Sequence, residues 1–168
     1  AAPCRLKCYA YLDIETTGLS WDYCDLTVVG VAKMRGTDSQ VGQLVGQRIS
    51  AEGVLSLLEG ADEVYTYNGS RFDLPFIKRR LGLDIKTAFR HTDLMYDCWR
   101  QHLKGGLKVV ETRLGIRRQL TEMDGFMAVR LWWEYVNNAN AQALRTLLEY
   151  NKEDIVNLHV LRDKLGVA

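Results

Sequence analysis

The chain has 168 residues, 47% of them apolar, and a formal net charge of +1 from 22 basic and 21 acidic side chains. That length and apolar content are expected to make a single domain spanning 1–168, with a core that needs no disulfide or metal staple. The balance of charge excludes a strongly basic coat for long nucleic acid, an acidic disordered tail and a polybasic membrane arm.

A strand is expected over 6–14. Tyr9, Tyr11, Asp13 and Glu15 alternate there with Cys8, Ala10, Leu12 and Ile14. Both sets are largely apolar, which places the strand at the centre of a sheet covered on both faces. Thr16, Thr17 and Gly18 break the pattern. Two β-rich runs follow, 26–33 and 41–49, joined by a polar turn around 35–38 as a hairpin. A short helix is expected over 51–59 and a strand over 63–67, closed by Asn68 and Gly69. The helix over 73–81 carries Pro75 in its first turn, where proline is tolerated. A short strand over 91–95 precedes helices over 107–114, 124–135 and 141–165, with 105–106 and 117–122 as loops. Strands, then strands interleaved with helices, then helices describe an α/β domain with a mixed sheet.

Cys4, Cys8, Cys24 and Cys98 fit no common metal spacing and read as reduced thiols packed as small apolar groups. No run reaches the roughly 18 apolar residues of a membrane span. Arg5 and Lys7 are not followed by an unbroken apolar core, so no signal peptide is expected and the cytoplasm is the expected compartment.

Four acids stand where solvated acids do not belong. Asp13 and Glu15 are two apart on a strand, so both leave the face that carries Tyr9 and Tyr11. Two anions on a covered face are costly without a cation between them. Asp154 interrupts the helical stripe Leu147, Leu158 and Leu161, and Tyr150 lies one turn before it on the same patch. Asp73 opens a helix, where it is either an N-cap or a fourth member of the group. A strand end, a helix start and a late helix converging at one sheet edge would need hard divalent cations as counter-charge. Two such ions about 3.5–4 Å apart form a clamp for phosphoryl transfer. Histidine is limited to His91, His102 and His159, which disfavours a zinc hydrolase.

These residues fall in three ordered segments: YLDIETTGL at 11–19, YNGSRFDLPFI at 67–77 and YNKEDIVNL at 150–158. They resemble the three motifs of the DEDD 3′–5′ exonucleases, the last in its Tyr-x3-Asp form (DEDDy). The histidine of the DEDDh form would stand five positions before Asp154, where Glu149 is found. The nearest resemblance is to proofreading domains of family B DNA polymerases and to small stand-alone exonucleases of the ribonuclease H-like superfamily. The segment LKVVETRLGI at 107–116 is similar to one that the stand-alone proteins carry.

The resemblance implies a five-stranded mixed sheet with the second strand antiparallel, flanked by helices. It implies two Mg²⁺ or Mn²⁺ ions held by Asp13, Glu15, Asp73 and Asp154. Asp13 would bridge them, Glu15 and Asp154 would complete one site, and Asp73 would support the other. Tyr150 would orient water, its ordinary pKa near 10 making it a poor base at neutral pH. The implied partner is the 3′ end of DNA or RNA, cleaved to nucleoside 5′-monophosphates. A structure-specific endonuclease, or a non-catalytic nucleic-acid-binding module of the same fold, are the alternatives.

Further residues have two readings each. Leu19 is a wedge against the terminal base or a core leucine, and Phe72 stacks on a base or packs under its helix. Asn68 positions carboxylates or a phosphate, or makes the turn. Thr16 and Lys108 are candidate substrate contacts, as are Arg71 and Lys104. The runs Lys78, Arg79, Arg80 and Arg117, Arg118 read mainly as solvated faces. Most of Trp132, Trp133 and Tyr135 read as core, with one facing a groove. Asp93 is left outside the metal set.

Overall fold

A computed structural model describes residues 2–167. Five strands, β1 (Cys8–Thr16), β2 (Leu26–Arg35), β3 (Asp38–Val45), β4 (Glu63–Thr66) and β5 (His91–Asp93), form one sheet in the order β3-β2-β1-β4-β5. β2 is antiparallel to β1 and β3, while β1, β4 and β5 are mutually parallel. The mixed sheet with an antiparallel second strand is therefore present, and β1 lies at its centre.

The helices are α1 (Ala51–Leu58), α2 (Asp73–Leu81), α3 (Ile85–Ala88), α4 (Leu94–Arg100), α5 (Leu107–Arg113), α6 (Gly125–Asn138) and α7 (Ala141–Leu165). The alternation along β1 decides what each side of the sheet receives. Ala10, Leu12 and Ile14 pack with Val29, Val31, Val54, Leu58, Phe76 and Ile77, the core beneath α1 and α2. Tyr11 packs with Tyr65, Leu94, Cys98, Ile155, Leu158 and Leu161, beneath α4 and α7. Asp13 and Glu15 share the parity of Tyr11, so strand geometry alone sends them toward α7. A third cluster, Val28, Met123, Ala128, Leu147 and Tyr150, seats α6 and α7 against the start of β2.

Several boundaries differ from the sequence reading: the first strand is shifted to Cys8–Thr16 and so includes Glu15, and the hairpin strands run closer to their turn, to Arg35 and from Asp38. The third strand ends at Val45, because Gly46 takes φ +55° and opens a 3-10 turn, Gly46–Arg48. α3 is too short to display a helical period and was not expected. α4 begins where the fifth strand was expected to continue: Asp93 caps it by accepting from the Met95 N–H at 3.1 Å. α6 runs on to Asn138 and stops at Ala139, whose φ is +52°. Asn140 then caps α7 by accepting from the Ala143 N–H. Among the described residues no helix is long and apolar enough to cross a membrane.

Candidate active site

Three carboxylates meet at the C-terminal end of β1. Asp13 and Glu15 come from the strand and Asp154 from the middle of α7, and one oxygen of each lies within 4.8 Å of the others. Glu15 and Asp154 are buried and Asp13 is half-buried, so the three acids crowd together with little water between them. Desolvation raises the Asp13 carboxyl well above its ordinary range, and the charges of Asp154, Glu15 and Asp73 push it further. Glu15 is raised in the same direction, by burial first and Asp154 second. Asp154 is pushed up to about 6 by burial, opposed by the positive charge of Arg118.

Asp73 joins from the start of α2 but is not a helix cap. Phe72 occupies the cap position without a side-chain bond, and the Asp73 carboxylate instead accepts from the Ile14 N–H at 3.1 Å. That bond ties α2 to β1 between Asp13 and Glu15. Asp73 therefore stands next to the three-acid cluster and outside it, buried and pushed up to about 7 by desolvation.

The donor set is made of oxygens alone, and the mutual repulsion of the acids is what a divalent cation relieves. The residues thus fit hard divalent ions. The four cysteines are free thiols, Cys8 and Cys98 being buried.

Tyr150 sits one turn before Asp154 and is 5% exposed. Burial and then the neighbouring carboxylates, Asp154 first, raise its phenol further above its ordinary value, so it stays protonated at neutral pH. Its ring carries the Lys108 ammonium 4.5 Å from the centroid. A pocket of about 280 Å³ opens beside these groups, lined by Asp13, Tyr67, Lys108, Val109, Tyr150 and Asp154 among others. A larger cleft of about 1180 Å³ lies elsewhere, by Arg48, Arg80, Trp132 and Tyr135, and none of the four acids lines it.

The remaining candidates separate. Lys108 lines the small pocket, with its ammonium donating to the Met123 carbonyl. Leu19 is 84% exposed and so is no core leucine. Phe72 packs against the core with its ring edge-on to Phe76. The Thr16 hydroxyl donates to the Gly18 carbonyl at 2.6 Å and shapes the turn. Asn68 makes its turn with φ +60°, donates its N–H to Asp93, and keeps a buried Oδ1 without a partner. Asp93 organises this turn, also accepting from the Ser70 N–H, which accounts for its place outside the acid cluster. Arg71 lies over the Trp99 ring.

Lys78, Arg79 and Arg80 form surface pairs with Asp84, Asp22 and Asp25, as a solvated face should. Two expectations fail. None of Trp132, Trp133 and Tyr135 is fully buried, because α6 lies on the outside of α7 and buries only Ala128. Arg118 is not solvated: its side chain is 6% exposed and contacts Asp154.

Two further groups act on the acids from positions that spacing did not mark. Asn151 donates to the Asp13 carboxylate at 3.3 Å and to its backbone carbonyl at 3.2 Å, while its own Oδ1 accepts from Gln43. It reaches Asp13 only because Gly30 lies opposite Asp13 in the sheet. A Cβ at Gly30 would lie 2.0 Å from Asn151 Oδ1. A lone glycine inside an apolar strand was the available signal, since it marks a close approach. Arg118, in a loop, left no periodic signal.

The RNase_H superfamily matches residues 10–166 of the chain. The protein YprB of Bacillus subtilis, itself uncharacterized, is 29% identical over 163 residues, covering 88% of this chain and 39% of YprB. The chain thus spans about two fifths of that relative. The family B DNA polymerase of Pyrobaculum calidifontis superposes with a TM-score of 0.71 at 17% identity, over 98% of this chain and 25% of the polymerase. NrnC of Brucella melitensis, bound to pGG, superposes at 0.63 with 23% identity, over 94% of this chain and 71% of NrnC. Both likenesses are likenesses of fold.

Proposed function

Because the chain belongs to the RNase H superfamily, we propose that it is a divalent-metal-dependent 3′–5′ exonuclease of the DEDDy kind, releasing nucleoside 5′-monophosphates from single-stranded ends. The observation that carries this reading is the meeting of Asp13, Glu15 and Asp154 within 4.8 Å, with Asp73 fixed beside them and Tyr150 one turn away. NrnC has been solved with pGG and with Mg²⁺, which supports the same two classes of ligand here.

Asp13, Glu15 and Asp154 would hold one ion, and Asp13 with Asp73 the other. Two divalent ions bound there, Mg²⁺ or Mn²⁺, supply the counter-charge of the acids, activation of the attacking water and electrophilic stabilisation of the phosphoryl group. The protein's own task is orientation. Tyr150, protonated and buried, donates a hydrogen bond that aims the attacking water; its raised pKa makes it useless as a base. Lys108, on the wall of the pocket, offers positive charge to the phosphate. Leu19, exposed in the turn after β1, would meet the terminal base.

Labelled single-stranded DNA, single-stranded RNA and duplexes, each with a free or a blocked 3′ end, test this in Mg²⁺ or Mn²⁺. Mononucleotide products from free ends alone are expected. Internal cutting of a 3′-blocked strand would point to an endonuclease, and robust cleavage in excess chelator would end the metal reading.

A further inference from the structure

The loop between α5 and α6 carries a buried arginine whose charged partners are all acids. Arg118 Nε donates to Glu111 Oε2 at 2.8 Å, Nη2 donates to Asp154 Oδ1, and Nη1 stands 3.7 Å from Glu153 Oε1. Its side chain is 6% exposed, and Glu111 beneath it is 1% exposed. Glu111 is anchored in turn by Asn157 Nδ2 at 2.8 Å. The loop is strapped to α7 as well, because Gln119 N–H and Leu120 N–H donate to the Glu153 carboxylate at 2.8 and 3.2 Å. The strap therefore grips the same turn of α7 that presents Asp154. A free surface arginine samples many rotamers; this one has been given one.

Resting on the reading of the acids as a metal site, we infer that Arg118 is a positioning residue for it. Its guanidinium, aimed by Glu111, fixes Asp154 through Oδ1 and leaves Oδ2 to the metal. The same fixed charge holds down the affinity of the cluster for divalent cations. The two effects have different physical origins. Orientation comes from the rigid guanidinium fork, which an ammonium lacks. The weakened affinity comes from the charge itself, since a cation in hydrogen-bond contact with a ligand oxygen repels a second cation approaching that carboxylate. An arginine with a merely structural role predicts that its loss loosens the site, so metal binding and turnover fall together. A positioning cation predicts that they move in opposite directions.

Calorimetric titration of Mn²⁺ into the substrate-free chain, paired with kinetics at saturating Mn²⁺, separates them. Arg118→Gln should bind Mn²⁺ roughly threefold or more tightly, while kcat falls about tenfold or more and KM for an oligonucleotide stays nearly unchanged. Arg118→Lys keeps the charge, so its Mn²⁺ affinity should stay near that of the parent chain, with kcat intermediate between the parent and Arg118→Gln. Glu111→Gln combined with Arg118→Gln removes both members of the buried pair and, since Glu111 lies farther from the acids than Arg118 does, should still bind Mn²⁺ more tightly than the parent, by a smaller factor, if the single variant folds poorly. Unchanged or weaker Mn²⁺ binding in the uncharged variants, or unaltered kcat, overturns the inference. Should the parent chain bind Mn²⁺, and Asp154→Asn weaken that binding, yet no oligonucleotide be cleaved, the nuclease reading falls while the effect of Arg118 on metal affinity stands on its own.

Discussion

Asp13 is held by its strand and by the amide of Asn151, which donates to both its carboxylate and its carbonyl, against the repulsion of its acidic neighbours. Removing the carboxylate and removing the amide should therefore have different consequences. Asp13→Ala deletes a ligand shared by both proposed ions, and turnover should fall below detection while the fold persists. Asn151→Ala leaves every ligand in place and frees Asp13 to rotate, so kcat should drop about tenfold. It also removes one partner of Gln43, whose Nε2 retains the Leu148 carbonyl at 2.8 Å, so the stability cost should be about 1–3 kcal/mol. Denaturant midpoints with steady-state kinetics check both statements. Tyr150→Phe removes only the water-orienting hydroxyl, and a residue of activity about a hundredth of the parent's or more should remain. Loss as complete as that of Asp13→Ala would give the tyrosine a larger role.

Among the elements, β2 and α7 approach each other across a glycine. Gly30 faces Asp13 in the register, and a methyl there would overlap the Asn151 amide, which is fully buried and bonded on several sides. Gly30→Ala should cost about 1–3 kcal/mol in denaturant unfolding and depress kcat as well, because the displaced amide is the one that holds Asp13. Gly42, in β3, makes a useful comparison: its added methyl would meet the end of the Leu57 side chain at 2.3 Å, and Leu57 is only partly buried. A rotamer change relieves that overlap, so Gly42→Ala should cost less and leave kcat near the parent value. If the two variants behave alike in kcat, Asn151 does not transmit the effect.

For the molecule as a whole, near neutrality hides an acid cluster that the fold concentrates at the C-terminal end of the central strand. Asp73 and Asp154, pushed up to about 7 and about 6 by burial, have folded pKa values above those of the unfolded chain. The folded state then binds more protons than the unfolded state between about pH 4 and 7. Their contribution to stability is full below the unfolded values and is lost as pH rises through the folded ones. In chelator, Tm should accordingly be higher at pH 5 than at pH 8. Mg²⁺ should raise Tm more at pH 8, where the carboxylates are ionised and can bind it. Melting curves at the two pH values, with and without Mg²⁺, read this directly; a Tm in chelator that rises from pH 5 to pH 8 would contradict it.

Sequence alone determined the α/β class and the central two-faced strand, and it singled out Asp13, Glu15 and Asp154 as acids out of place, because period and residue type are local properties of the chain. An acid in an apolar stripe, as at Asp154, is conspicuous without coordinates. The tertiary structure decided what the local pattern left open. Asp73 had a plausible local partner in its own helix, and only the approach of β1 turned its carboxylate to the Ile14 N–H. Arg118 looked like half of a solvated pair until the loop folded onto α7. Asn151 meets Asp13 across 138 positions. Contacts of that separation, and the burial that gives a charge its meaning, arise only when the elements pack.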